Sequence, residues 1–437
     1  MEPGNILRGL IGVVFLLGVC LLFSSKRKAV NWRLVAGGIV LQAILAVLIL
    51  RTPFGGVVGW ASQGFVSLLS FSDVGAKFMF GELIDASRYG FAFKVLPTIL
   101  FVAALTSLLY YLGVLQWIVF GFAWVMKRLM RLSGAESLAT AANVFVGQTE
   151  APLVVKPYIA TMTRSELMAL MTGGMATIAG TVFGLYVVTL GGDDPEVQLR
   201  VARQLLTASM MNAPAALLVA KILVPEQEEI KEELFVPKEK HGRNALDALA
   251  KGTTEGLKLA LNVAAMLIVF VAMIALFNAI LGWFGALGAG AEEGAVGVLD
   301  ELIANWSGGV FSGLSFEALL GFLFAPVAAA IGAAPGDFLE LGQLLGTRLV
   351  SNEFIAYLQL GQLEGAGSLD PKTVFLATFA LCGFANFSSI GIQIGGIGAL
   401  APERRGDLAA LGFKAMIGGT IASLLTASIA GMFFTGG

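Results

Sequence analysis

Residues 131–164 read RLSGAESLATAANVFVGQTEAPLVVKPYIATMTR, with an arginine at each end. Two apolar arms, Ala135–Phe145 and Ala151–Thr161, flank the polar stretch Val146–Glu150. An arm of about ten residues forms about 15 Å of helix, which is half the hydrocarbon core of a bilayer. A single crossing would place one arginine outside the cytoplasm, against the positive-inside rule. The segment therefore predicts a re-entrant hairpin, which enters and leaves the membrane on the cytoplasmic side.

A second segment, residues 337–370, has the same plan with acidic ends. Asp337 and Asp370 are 33 positions apart, which is also the spacing between the two arginines of the first segment. The centre of the second segment reads Val350-Ser351-Asn352-Glu353-Phe354. Acidic ends favour an opening on the outer side of the membrane. We call residues 131–164 the first hairpin segment and residues 337–370 the second hairpin segment.

An apolar stretch rich in glycine and hydroxyl side chains follows each hairpin segment. The two stretches are Met171–Tyr186 and Cys382–Gly398. Interrupted helices of this kind expose backbone carbonyls and helix ends to a solute at the middle of the membrane. A hairpin followed by an interrupted helix, present twice in opposite orientation, is an inverted repeat. This arrangement is typical of secondary transporters.

Two glutamates, Glu150 and Glu353, lie at the centres of the hairpin segments. A charged side chain in the middle of a bilayer costs roughly 2.5 kcal/mol or more, and such residues are usually functional. The structural alternatives are that each glutamate ties its hairpin to a neighbouring helix, or that Glu150 pairs with Lys156.

The composition indicates an all-α integral membrane protein. Of 437 residues, 57% are hydrophobic and 13% are charged, whereas soluble domains carry about 25% charged residues. The net charge of -2 gives no electrostatic reason to expect nucleic acid as a partner. The two cysteines lie in apolar runs and the one histidine, His241, lies in a charged stretch. These residues leave no basis for a disulfide framework, a zinc site or Ser-His-Asp chemistry.

Eight stretches are long and apolar enough to cross the membrane. They are Gly9–Phe23, Leu34–Leu50, Val95–Val114, Leu167–Leu190, Leu205–Val224, Leu257–Trp283, Val374–Leu400 and Leu408–Phe434. Basic loops alternate with acidic ones: Lys26-Arg27-Lys28 follows the first span and Glu292-Glu293 follows the sixth. The positive-inside rule then puts both termini outside the cytoplasm. Three other stretches predict interfacial helices, namely 54–80, 115–130 and 313–332.

Three linked motifs stand at the hairpin centres and at the second interrupted helix. They are GQTEAP at 147–152, SNEFIAY at 351–357 and GFANFSSI at 383–390. Together they resemble the concentrative nucleoside transporter family, and the resemblance covers essentially the whole chain. It implies eight transmembrane helices, two oppositely oriented re-entrant hairpins, interfacial helices, a homotrimer and elevator-type movement. With the charge pattern, it implies a bacterial cytoplasmic (inner) membrane protein with both termini on the periplasmic side.

Position by position, the resemblance implies a substrate site and a sodium site. The nucleobase would face Gln148, Thr149, Glu150 and Val182, the ribose would bind Glu353, Asn386 and Ser389, and Phe384 would pack on the ligand. Sodium would bind the backbone oxygens of Asn143, Val146 and Ile178 and the hydroxyl of Thr177, where the family pattern has serine. Carboxylates accept hydrogen bonds from ribose diols, and Gln and Glu match the donors and acceptors of a base edge.

The predicted function is sodium-coupled import of nucleosides such as uridine, with no catalytic residues and no cofactor. The alternatives are proton coupling through Glu150 or Glu353, an intramembrane nucleosidase that uses both carboxylates, and a passive channel. The predicted parts are 1–130 (scaffold and interfacial helices), 131–224 (first repeat), 225–336 (cytoplasmic loop, scaffold helix and interfacial segment) and 337–437 (second repeat). The sequence leaves the choice between purines and pyrimidines open.

Overall fold

The computed structural model describes residues 3–84, 93, 96–130, 132–192, 194–228, 242–288 and 297–435. The predictions for Arg131, His241 and Glu292-Glu293 concern residues outside these ranges. Within them the chain is helical and contains no β-strand, as the composition predicts. The α-helices are α1 (Pro3–Leu22), α2 (Trp32–Arg51), α3 (Gly55–Phe80), α4 (Leu96–Tyr111), α5 (Val114–Met130), α6 (Gly134–Phe145), α7 (Ala151–Val154), α8 (Lys156–Ile159), α9 (Arg164–Ala176), α10 (Gly180–Gly191), α11 (Pro195–Leu223), α12 (Ala245–Gly285), α13 (Val298–Trp306), α14 (Phe316–Ile331), α15 (Phe338–Val350), α16 (Glu353–Gly365), α17 (Pro371–Ala380), α18 (Phe387–Leu400) and α19 (Arg405–Gly431).

Among the described residues, six helical stretches are long and apolar enough to cross a membrane, or seven when the bent pair α4 and α5 is counted as one span. The six are α1, α2, α9 with α10, α11, α12 and α19, and they coincide with six of the predicted spans. The predicted span Val95–Val114 corresponds to α4, which is followed by a 76° bend into α5. The predicted span Val374–Leu400 is divided into α17 and α18. The count of eight spans therefore stays a prediction.

The stretches predicted to lie in the interface are also helical. In the stretch 54–80, residues Gly55–Phe80 form one continuous helix of 26 residues, α3. The helix α5 carries the exposed rings of Trp117 and Trp124, and α14 packs against α15. The depth of these helices in a bilayer stays a prediction.

The first arm of the first hairpin segment is α6, which begins with a capping box. The Ser133 hydroxyl accepts from the N–H of Glu136 at 3.2 Å, and the Glu136 carboxylate accepts from the N–H of Ser133 at 2.9 Å. The second arm, expected as one helix of about ten residues, is instead two short pieces, α7 and α8, separated at Val155. Pro157 has no N–H to donate to the carbonyl of Leu153, so the helical hydrogen bonds are interrupted there.

The arms of the second hairpin segment are α15 and α16, which pack against each other. The turn between them ends at Asn352, whose Oδ1 caps α16 by accepting from the N–H of Ile355 at 2.9 Å. Near the end of α15, the fully buried Arg348 donates to the carbonyls of Ala380 at 2.6 Å and Gly383 at 3.3 Å. Arg348 therefore joins the second hairpin segment to the end of α17.

Both helices that follow the hairpin segments are interrupted, as the sequence predicts. Residues 177–179 separate α9 from α10, and residues 381–386 separate α17 from α18. Asn212, in the middle of α11, contacts both breaks. Its Nδ2 donates to the carbonyl of Ala176 at 2.7 Å and to the carbonyl of Cys382 at 2.8 Å. One amide nitrogen therefore donates a hydrogen bond to a backbone carbonyl at each break, where the helical hydrogen bonds are interrupted.

A buried charge cluster lies at the C-terminal end of α11. Lys221, only 4% exposed, forms an ion pair with Glu136 at 2.7 Å and another with Glu226 at 3.1 Å. Its ammonium group also donates to the Ser165 hydroxyl at 3.0 Å. The cluster thus joins α6, α9 and α11 at the base of the first hairpin segment.

We expect Lys221→Ala to lower the free energy of unfolding by about 3–5 kcal/mol, because it leaves Glu136 buried without a cation. Denaturant titration in detergent micelles measures this loss. The control is Lys251→Ala, which removes an exposed cation paired with Asp247 and is expected to have no measurable effect. Equal stability of the two variants would contradict a structural role for the buried cluster.

Candidate functional site

The centres of both hairpin segments and both helix breaks meet at one cavity of about 630 Å³. Cavities of this size are typical of small-molecule sites. On another side, α4 and α12 line the same cavity. All eight residues predicted for the substrate site line it: Gln148, Thr149, Glu150, Val182, Glu353, Phe384, Asn386 and Ser389.

Glu353 is buried at the first position of α16, and both of its carboxylate oxygens are hydrogen-bonded. The Tyr186 hydroxyl donates to Oε1 at 2.7 Å, and Asn386 Nδ2 donates to Oε2 at 3.0 Å. Asn386 is also the N-cap of α18, since its Oδ1 accepts from the N–H of Ser389 at 2.9 Å. The same amide therefore begins a helix and orients the carboxylate, so capping is only one of its roles.

Gln148, in the turn after α6, is bonded to α18. Its Nε2 donates to the Ser389 hydroxyl at 3.2 Å, and its Oε1 accepts from Gln393 Nε2 at 3.1 Å. Gly147, just before it, has φ +98°, and a Cβ there would lie 2.4 Å from the Ala179 side chain. Glycine is therefore required for the first hairpin centre to approach the break after α9 this closely.

The remaining predicted substrate residues differ in how they meet the cavity. Glu150 precedes α7, and its Oε2 is buried without a hydrogen-bond partner in the described part of the chain. Lys156 is exposed and forms no ion pair with it, against the structural alternative raised from the sequence. Thr149 is exposed, Val182 is buried and Phe384 is half-buried. Glu150 thus has one oxygen without a donor in the described part of the chain, whereas both oxygens of Glu353 are hydrogen-bonded.

Comparison with known families accounts for nearly the whole chain. Residues 11–83 and 204–431 match the N-terminal and C-terminal models of the Na+ dependent nucleoside transporters, and residues 92–193 match a model described as nucleoside recognition. An uncharacterized transporter of Haemophilus influenzae is 41% identical over 98% of each chain. Mouse sodium/nucleoside cotransporter 1 is 38% identical over 95% of this chain and 63% of its own length. The chain belongs to the concentrative nucleoside transporter family.

The fold of this family member also agrees with a solved relative. CNTnw in an inward-facing substrate-bound state is 37% identical, with a TM-score of 0.85, over 98% of this chain and 99% of its own. The likeness confirms the resemblance inferred from the three motifs and the helical fold that it implies. Because the family consists of transporters and not of enzymes, the nucleosidase alternative is wrong.

In this concentrative nucleoside transporter, the residues predicted to bind sodium lie together at the first break. The Thr177 hydroxyl is 2.9 Å from the carbonyl oxygen of Asn143 and 2.9 Å from that of Gly173. Val146 and Ile178 are buried, and Ile178 directly follows Thr177 in the chain. Carbonyl and hydroxyl oxygens at an unwound helix are the ligands by which transporters hold sodium, so this donor set fits the ion.

The sequence does not identify four polar residues that form hydrogen bonds around the candidate site. They are Tyr186, Asn212, Arg348 and Gln393. A usable signal existed for Asn212, because a lone amide in an apolar span usually bonds to another helix. Gln393 lies one turn after Ser389 on the same face of α18, but the sequence does not indicate which loop packs on that face.

We expect Asn212→Leu to destabilise the protein by about 1–3 kcal/mol, because the carbonyls of Ala176 and Cys382 lose their donor. The control is Ser209→Ala, one turn earlier on α11, which removes a single hydrogen bond of 3.3 Å to the Val144 carbonyl. Denaturant titration of both variants in detergent gives the comparison. A loss no larger for Asn212→Leu than for Ser209→Ala would show that the shared amide is not needed at the breaks.

Proposed function

We propose that the chain is a secondary active importer that moves nucleosides into the cell together with sodium. The observation that carries the proposal is one cavity lined by all eight predicted residues, which come from both hairpin segments, from the second break and from α10 and α18. In this proposal the hairpin segments are re-entrant and oppositely oriented, the parts 131–224 and 337–437 are the inverted repeats, and the movement is of the elevator type. The protein is then a homotrimer of the bacterial inner membrane with periplasmic termini.

We call the part of the cavity lined by the second hairpin segment, the second break and α18 its second half. This half is proposed to bind the ribose. Glu353 is a carboxyl acceptor held in one orientation by Tyr186 and Asn386. A carboxylate accepts both hydroxyls of a vicinal diol, and a site built for hydroxyls discriminates strongly against analogues that lack them. Ser389 adds a hydroxyl beside this carboxylate, and Phe384 offers an apolar surface to the ligand.

The part of the cavity lined by the first hairpin segment and α10 is its first half. This half is proposed to bind the base. Gln148 and Glu150 come from one turn and line the cavity side by side with Thr149. The amide and the carboxylate provide a donor and an acceptor within the same turn, as the edge of a nucleobase requires. Val182 contributes an apolar contact.

Sodium is proposed to bind the Thr177 hydroxyl and the backbone oxygens of Asn143, Val146 and Ile178. These groups belong to α6, the turn after it and the break before α10, so the ion joins the first hairpin segment to the helix that follows. One sodium ion moving with a neutral solute gains about 2.3 kcal/mol per 100 mV, and a tenfold sodium gradient adds about 1.4 kcal/mol. The sum supports roughly 500-fold accumulation.

Proton coupling is the second candidate, because Glu150 Oε2 has no partner in the described ranges. A carboxylate in this position is suited to take up a proton on the way through the membrane. The two candidates differ in the ion that drives uptake.

We expect Glu353→Ala to weaken nucleoside binding at least a hundredfold, because the ribose loses a carboxyl acceptor and Tyr186 and Asn386 lose their partner. Calorimetry with uridine on the purified protein measures the change. The control is Glu364→Ala on the same helix, since Glu364 pairs with Arg200 and does not line the site cavity. Unchanged affinity in a folded Glu353→Ala protein overturns its assignment.

We expect membrane vesicles containing the protein to accumulate uridine when sodium is added outside at fixed pH. Uptake should stop when an ionophore collapses the sodium gradient, because the gradient supplies the driving force. A matched experiment imposes a proton gradient without sodium. Accumulation in the second experiment alone would show that protons, and not sodium, drive uptake. Uptake that only equilibrates uridine across the membrane would indicate a passive channel.

A further inference from the structure

The side-chain amide of Gln148 is held at both ends by one face of α18. Its nitrogen donates to Ser389 and its oxygen accepts from Gln393. Ser389 and Gln393 are four positions apart on one helix, which places them one above the other. Each is only 1% exposed. If the Gln148 amide were turned over, its Nε2 would face the Nε2 of Gln393, and two donors would oppose each other.

The orientation of Gln393 is itself fixed by the backbone. Its Nε2 donates to the carbonyl of Met171 at 3.0 Å as well as to Gln148. A carbonyl oxygen can only accept, so the nitrogen of Gln393 must face Met171. The nitrogen therefore also faces Gln148, whose oxygen must turn toward it.

This arrangement decides which end of the Gln148 amide faces the solute. Ser389 lines the cavity and Gln393 does not. The oxygen of Gln148 therefore points away from the cavity and its nitrogen points along the cavity wall. That nitrogen carries two N–H groups, and Ser389 is its one partner in the described part of the chain. One N–H is left for a ligand.

Glu150 completes the pattern with an acceptor, because this carboxyl group lines the same cavity and its Oε2 has no hydrogen-bond partner in the described part of the chain. A donor next to an acceptor complements a base edge that carries a carbonyl oxygen beside a ring N–H. Uracil and hypoxanthine present this edge. Cytosine and adenine present an amino group beside a bare ring nitrogen, which is the reverse.

We infer that Gln393 is a specificity-determining positioning residue, which fixes the Gln148 amide so that the site selects nucleosides with a carbonyl at the contacted edge. The inference rests on the proposed function and adds to it the choice among bases. It assigns this choice to a residue that does not itself line the cavity.

The test is calorimetry with uridine, cytidine, inosine and adenosine on the purified full chain in sodium chloride. We expect the wild-type protein to prefer uridine to cytidine, and inosine to adenosine, by about fivefold, the value of one net hydrogen bond. In Gln393→Met the amide is free to turn, and both ratios should fall toward one. In Gln393→Glu an acceptor replaces the donor and turns the Gln148 amide over, so that two acceptors, Gln148 and Glu150, face the base and both ratios should again fall toward one.

The matched control is Gln42→Met. Gln42 is a fully buried glutamine on α2 that donates to the Met211 carbonyl and the Thr426 hydroxyl, and it does not line the site cavity. Its loss should leave both ratios unchanged. A double-mutant cycle adds a second readout: once Gln148→Met is present, adding Gln393→Met should change neither ratio further.

The outcomes separate this inference from the proposed function. A wild-type protein that binds none of the four nucleosides overturns both. A wild-type protein that binds them without the expected preference, or a Gln393→Met ratio equal to that of wild type, overturns the inference alone. If Gln393→Met is not recovered as a monodisperse protein by size-exclusion chromatography, the loss of both preferences expected in Gln393→Glu decides.

Discussion

Backbone groups at the helix breaks must find partners away from water, and the rest of the site depends on how this chain supplies them. Non-helical backbone is tolerated at membrane depth only where protein or a water-filled cavity satisfies it. With one nitrogen, Asn212 donates to the carbonyl of Ala176, the last residue of α9, and to the carbonyl of Cys382, within the second break. Because the end of α9 and the second break are held by the same side chain, the two halves of the cavity are fixed relative to each other.

The second half of the cavity uses capping chemistry for a further purpose. Asn386 begins α18 with its oxygen and orients Glu353 with its nitrogen. Neutral amides and hydroxyls carry most of the bonding around the cavity, whereas the buried ion pairs of Lys221 lie at the base of the first hairpin segment. Capping residues at helix ends thus orient the side chains of the site, and buried ion pairs join the base of the first hairpin segment to α11.

Much of the fold and of the cavity lining could be predicted from the sequence, since Glu150 and Glu353 are costly in an apolar chain and mark the two centres. The interruptions could be predicted from glycine and hydroxyl content. The division of the second arm at Val155 was missed although Pro157 signals it. Gln393 and Tyr186 were missed for a different reason: a polar residue on an apolar helix does not show which loop from elsewhere in the chain will contact it.

In the proposed binding mode the two glutamates contribute in different ways. Both oxygens of Glu353 already have donors, so a ribose bound as proposed shares or replaces existing hydrogen bonds, and the gain depends on a preset orientation. Glu150 Oε2 has no donor in the described residues, so a base bound as proposed would supply one. The base side therefore supplies affinity by adding a hydrogen bond, and the ribose side supplies it by preorganisation. A ligand must engage both halves to gain both contributions.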